Sequence, residues 1–177
     1  MKKSFISYLF ILCALSTLNC SKGDNSDGEG GGKKYYVKFE TDGVKKEYSG
    51  VTIMSLTRQD DYYMYQFTGT KAVNDIEGMT MVITTDKAIT PPQNFKTENW
   101  TSASNVTRVE LLLGIHDEEK NTFVSFVAPG YDFPATAIIT EITTDHVKGN
   151  FSGVVTNSGF TKSKVITNGE FYFKILR

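Results

Sequence analysis

From Tyr35 to the end of the chain, apolar and polar residues alternate with a period of two, and this confines the fold to β-sheet. Tyr35, Val37 and Phe39 fall on one face of the first stretch; Tyr36, Lys38 and Glu40 fall on the other. Tyr63, Tyr65 and Phe67 share a face further on, which is the arrangement a core requires, and Val109, Leu111 and Leu113 repeat it. Tyr, Phe, Val, Ile and Thr dominate these stretches, and no window carries a sustained 3.6-residue apolar pattern with helix caps. Asp42-Gly43 is a two-residue hairpin signal, leading into a polar edge strand with Lys45 and Lys46. Residues 86–107 form the longest irregular segment, where Pro91-Pro92 forbids a central strand. Asn168-Gly169 reads either as a tight hairpin or as a bulge with Gly at positive φ. The bulge is favoured, because residues 164–167 are too short to stand as a strand. The expectation is an all-β domain: an antiparallel β-sandwich or partly open barrel of about nine strands, the sandwich favoured.

The first 32 residues are written differently. Lys2 and Lys3 precede an uncharged, mostly apolar run over residues 4–18, the length of a signal-peptide core and short of the roughly 20 apolar residues that span a bilayer. Thr17-Leu18-Asn19-Cys20 follows, and then the chain turns polar. This stretch resembles a lipobox, departing from the usual form at Thr17, where Leu is common, and at Asn19, where Gly or Ala is common. The resemblance implies that the Cys20 sulfur takes a diacylglyceryl group as a thioether and that the leader is cut before it. Two or three acyl chains then hold the protein stably, since each buried CH₂ contributes about 0.8 kcal/mol. Cys13 lies inside the apolar run and is a poor competitor. The chain therefore divides into a signal peptide (1–19), a lipidated Cys20 with a flexible tether (20–32) and one β domain (33–177). The tether has no apolar side chain after Cys20 and is rich in Gly, Asp and Ser, so it spans on the order of 20 Å as a coil.

Cys13 and Cys20 are the only cysteines, so the domain is expected to fold without a disulfide and without a thiolate zinc site. The 19 basic residues nearly balance the 20 acidic ones and form no basic block, which argues against a nucleic-acid partner.

A further resemblance comes from the C-terminal end. His146-Val147-Lys148-Gly149-Asn150-Phe151-Ser152-Gly153 and Ile166-Thr167-Asn168-Gly169-Glu170-Phe171 are similar to a recurrent Val-x-Gly-x-Phe … Ile-Thr-x-Gly-x-Phe ending. That ending belongs to small Bacteroidetes-type lipoproteins of unknown function. The resemblance implies an all-β domain at the outer membrane and supplies no active site. Ser21-Lys22-Gly23-Asp24 also looks like the export signal that follows the lipidated Cys in surface-exposed members of that group, with Gly23 interrupting it.

Chemistry-bearing residues are few. His116 and His146 sit at strand ends and read as solvated turn residues; their neighbours Asp117, Glu118 and Asp145 are not expected to converge on one ion, because adjacent strand residues point to opposite faces. Asp60-Asp61 and Asp117-Glu118-Glu119 lack the alternate spacing of a calcium loop. No nucleophile elbow, zinc-protease helix or phosphate loop is present. Trp100, the single tryptophan, lies in a polar loop where no periodicity demands it, and is the candidate ligand contact. The expected protein is a lipid-anchored, non-catalytic envelope module without cofactor or metal, binding a glycan or protein ligand. A structural component of an outer-membrane complex is the alternative. A hydrolase would need a polar cleft gathering His116 or His146 with two carboxylates.

Overall fold

The computed structural model describes residues 34–59, 61–96, 107–117, 121–128 and 133–176. Cys20 and Trp100 lie outside them, as do the leader and the tether. Among the described residues the chain is all-β, with eleven strands. They are β1 (Tyr36–Thr41), β2 (Val44–Tyr48), β3 (Thr52–Gln59), β4 (Tyr62–Thr70), β5 (Gly78–Thr85), β6 (Gln93–Lys96), β7 (Arg108–Asp117), β8 (Thr122–Val127), β9 (Ala135–Ile142), β10 (His146–Asn157) and β11 (Ser163–Ile175).

The expected count of about nine is too low, partly because the long segment after Thr85 contains β6. Its prolines stand just before the strand, and Phe95, almost wholly buried, fixes it to the sheet margin. β6 pairs with β9 alone among the described strands, so the rule against prolines in central strands still holds.

All strands join one sheet in the order β2-β1-β11-β3-β4-β5-β7-β8-β10-β9-β6, and β11 also pairs with β10. The pairings from β11 through β3, β4, β5, β7, β8 and β10 thus close into a ring. Two of its links are short. β11 meets β3 in parallel at Lys174↔Ile53 and Ile175↔Met54, and β10 meets β8 at Thr156↔Val127 and Asn157↔Phe126. The remaining pairings are antiparallel. β3 pairs with β4 along its whole length but with β11 at only two residues, so the other side of Ser55 to Gln59 meets no described strand.

The period-two pattern sets the core. Val37 and Phe39 from β1, Tyr65 and Phe67 from β4, Val109, Leu111 and Leu113 from β7, and Phe171 and Phe173 from β11 all point inward and are buried. Tyr63 is partly buried and packs against them. Phe67 lies 5.4 Å from Phe171 and 5.8 Å from Phe173 between ring centroids, tilted in each case. Burying each such ring stabilises by about 1.5–3 kcal/mol, and no described residue is a cysteine, so packing carries the domain.

Two turns show the backbone chemistry directly. Asp42 and Gly43 both take positive φ (53° and 75°), the conformation that a two-residue hairpin of the favoured twist requires. Asn168-Gly169 is a bulge in one continuous strand: the register of β11 slips by one residue against both β1 and β10 at this point. The positive φ belongs to Asn168 (51°), however, and not to Gly169. Glycine is needed next to it for a different reason. A Cβ on Gly169 would stand 2.3 Å from the backbone oxygen of Phe151 on β10.

Candidate functional site

The bulge opens a depression on the outward side of β9, β10 and β11. It encloses about 420 Å³ and is lined by Thr136, Ile138, Asn150, Phe151, Ser152, Asn168, Gly169 and Glu170. Register explains the set. Ile138, Asn150 and Glu170 stand directly opposite one another across three strands, and Thr136 stands opposite Ser152. Facing pairs of this kind hold their Cβ atoms about 4.5–5.5 Å apart, so their polar groups form one surface. The hydroxyls of Thr136 and Ser152 are hydrogen-bonded at 2.8 Å. The Asn150 amide donates to the Gly169 carbonyl at 3.4 Å, and the Asn168 amide donates to Glu40 at 3.0 Å. Ile138, 40% exposed, supplies an apolar edge. The surface offers closely spaced donors and acceptors on an open sheet, which suits a ligand rich in hydroxyl groups better than a compact apolar one.

The same face continues along β10 and β11 into an aromatic and charged cluster. Lys148 stands opposite Tyr172 and Glu141, and Tyr172 stands opposite Tyr36. Lys148 Nζ donates to Glu141 Oε2 at 2.9 Å and lies 5.2 Å from the centroid of the Tyr172 ring. That bond, seconded by His146, holds the Glu141 carboxyl below the usual carboxylate range, and Glu141 in turn raises the Lys148 ammonium. Tyr35 and Tyr36 complete the cluster at 4.9 and 6.2 Å from Tyr172.

His146 is not the solvated turn residue that its position suggests; it is only 5% exposed. Nε2 lies 2.6 Å from Glu141 Oε1, and Nδ1 lies 2.9 Å from both Asp145 Oδ1 and Thr143 Oγ1. Its ring meets Tyr172 edge-on at 5.0 Å. Asp145 reaches its sequence neighbour because it sits in the bend before β10 begins, where strand alternation does not apply. Two carboxylates therefore do converge on this histidine. Together with the Thr143 hydroxyl they engage both ring nitrogens. His116 is exposed at the end of β7. No group of three or more metal-ligating side chains is gathered among the described residues.

The site residues on β10 were within reach of sequence reasoning. Lys148, Asn150 and Ser152 alternate with Val147, Gly149 and Phe151, a half-polar pattern that marks an outward face. Their meeting with Thr136 and Glu170 depends on long-range register, which the pattern does not encode. Compared with known proteins, the chain matches no family model, no curated protein and no solved structure.

Proposed function

We propose that this chain is a lipid-anchored protein of the outer membrane, displayed at the cell surface, whose β domain is a non-catalytic module that binds a glycan. The observation that carries the reading is the depression lined by Thr136, Asn150, Ser152, Asn168 and Glu170. Its mixed donors and acceptors match the dual character of sugar hydroxyls, and Ile138 offers a surface for the C–H face of a ring. The domain is a two-layered sandwich, β2-β1-β11-β10-β9-β6 over β3-β4-β5-β7-β8, joined at the two short pairings. Its anchor is the acylated sulfur of Cys20, and Trp100 is a further candidate ligand contact.

A glycan array probed with the chain tests the reading. Binding to a defined oligosaccharide class that Asn150→Ala abolishes would support it; an array without hits, together with capture of a stoichiometric envelope protein from solubilised membranes, would replace it. That second outcome would make the chain an assembly component.

A further inference from the structure

Among the described residues, one edge of this domain is left open by the strand pairing. Thr70 N donates to the carbonyl of Val51, the residue before β3, and Leu176 N donates to the Met54 carbonyl within it. Odd-numbered residues of this strand therefore direct their backbone groups toward β4, and even-numbered residues direct theirs away from it. Beyond Met54 no described strand takes up that second side, so the N–H and C=O groups of Leu56 and Arg58 face outward from the sheet. Leu56 shares the inward face with Met54 and Tyr65, yet it is 51% exposed, a core-face leucine with an uncovered flank. The margin strand β2 carries Lys45 and Lys46, the usual defence of an edge; Ser55-Leu56-Thr57-Arg58-Gln59 has neither lysine nor proline. Arg58 is drawn aside, over the Tyr63 ring at 5.4 Å.

We propose that this edge pairs with the same edge of a second copy of the chain, antiparallel about a two-fold axis through Thr57. In that register Leu56 stands opposite the partner's Arg58, and both direct their amides into the gap, closing reciprocal pairs of hydrogen bonds. Thr57 meets the partner's Thr57 in the closer, non-hydrogen-bonded kind of pair. The neighbouring symmetric registers fail. One requires the Met54 carbonyl already taken by Leu176, and the other sets two arginines face to face. Odd shifts set outward-directed residues against inward-directed ones. Leu56 and the partner's Leu56 come together diagonally on the core face, covering the exposed flank. The segment is short beside a standard interface, so the dimer is weak in solution and favoured where anchoring concentrates the chain on a membrane.

Register-specific cross-linking of the full chain tests this. Thr57→Cys places two thiols across the axis at a spacing a disulfide accepts, whereas Ser55→Cys places them apart. Mild oxidation is expected to give at least about tenfold more linked dimer from Thr57→Cys than from Ser55→Cys or the unsubstituted chain, and Leu56→Lys added to Thr57→Cys is expected to remove that excess. Equal cross-linking of Thr57→Cys and Ser55→Cys would overturn the proposal. So would a chain that stays monomeric by sedimentation up to about 1 mM. A chain that leaves this edge to a strand of a different protein overturns it too.

Discussion

Glu77→Gln is the substitution whose outcome the structure specifies most fully. Glu77 closes the loop between β4 and β5 and is almost wholly buried. Oε1 accepts hydrogen bonds from Lys46 Nζ at 2.9 Å and from the Tyr48 hydroxyl at 2.9 Å; Oε2 accepts one from Lys71 Nζ at 3.1 Å. The carboxylate thereby ties the margin strand β2 to the body of the sheet. Glutamine keeps the shape but one acceptor oxygen, and it turns an amide donor toward an ammonium. Hydrogen bonds to a charged group contribute about 1.5–3 kcal/mol each, and unpairing a buried ionic group costs about 3–5 kcal/mol. Lys71 is half-exposed and regains water, so the expected loss is about 3 kcal/mol at pH 7. With a urea m-value of about 1–3 kcal/mol/M, the midpoint falls by about 1–3 M. Burial pushes the Glu77 carboxyl up, but hydrogen bonds from Lys46, Lys71 and Tyr48 outweigh it and hold the group below the usual range. A lowered carboxyl contributes stability above its unfolded pKa of about 4.3 and loses it as pH falls through the folded value. The gap between native chain and variant is therefore expected to narrow as urea melts are repeated from pH 7 down to pH 3. A midpoint shift under about 0.3 M at pH 7, or a gap that does not change with pH, would refute the reasoning.

Other expectations follow from single contacts. The hydroxyls of Thr41 and Thr84 are buried without a partner, so Thr41→Val and Thr84→Val should each stabilise by about 1 kcal/mol, a rise of a few degrees in a thermal melt; a fall in either would mean that the hydroxyl is satisfied in solution. Gly169→Ala drives a Cβ into the Phe151 backbone and should cost on the order of 3 kcal/mol in a urea melt, whereas an unchanged midpoint would show that the bulge yields freely. Cys20→Ser should move the protein from the membrane to the soluble fraction with the β domain folded; retention after carbonate washing contradicts the anchor.

The fold class was legible because alternation is local. Val37 and Phe39, or Tyr65 and Phe67, declare their shared face within a few residues, and Asp42-Gly43 declares its turn in two. Even the bulge at Asn168 could be read, since a glycine and an asparagine interrupt an otherwise continuous strand. What escaped depends on partners remote in sequence. β6 is four residues long and is recognisable only beside β9. His146 looked like a turn residue because its partners are Thr143 in the turn, Glu141 on β9 and Tyr172 on β11, two of them on other strands. The depression was illegible for the same reason: Asn150 becomes part of a surface only once Ile138 and Glu170 are set beside it.

The binding surface itself is tested most directly by recording backbone amide chemical shifts while the chain is titrated with an oligosaccharide selected on the array. Saturable shifts are expected at Thr136, Asn150, Ser152, Asn168, Gly169 and Glu170, with the Glu77 and β3 regions unmoved. Saturable shifts that map elsewhere, or no shifts across the series, would contradict it.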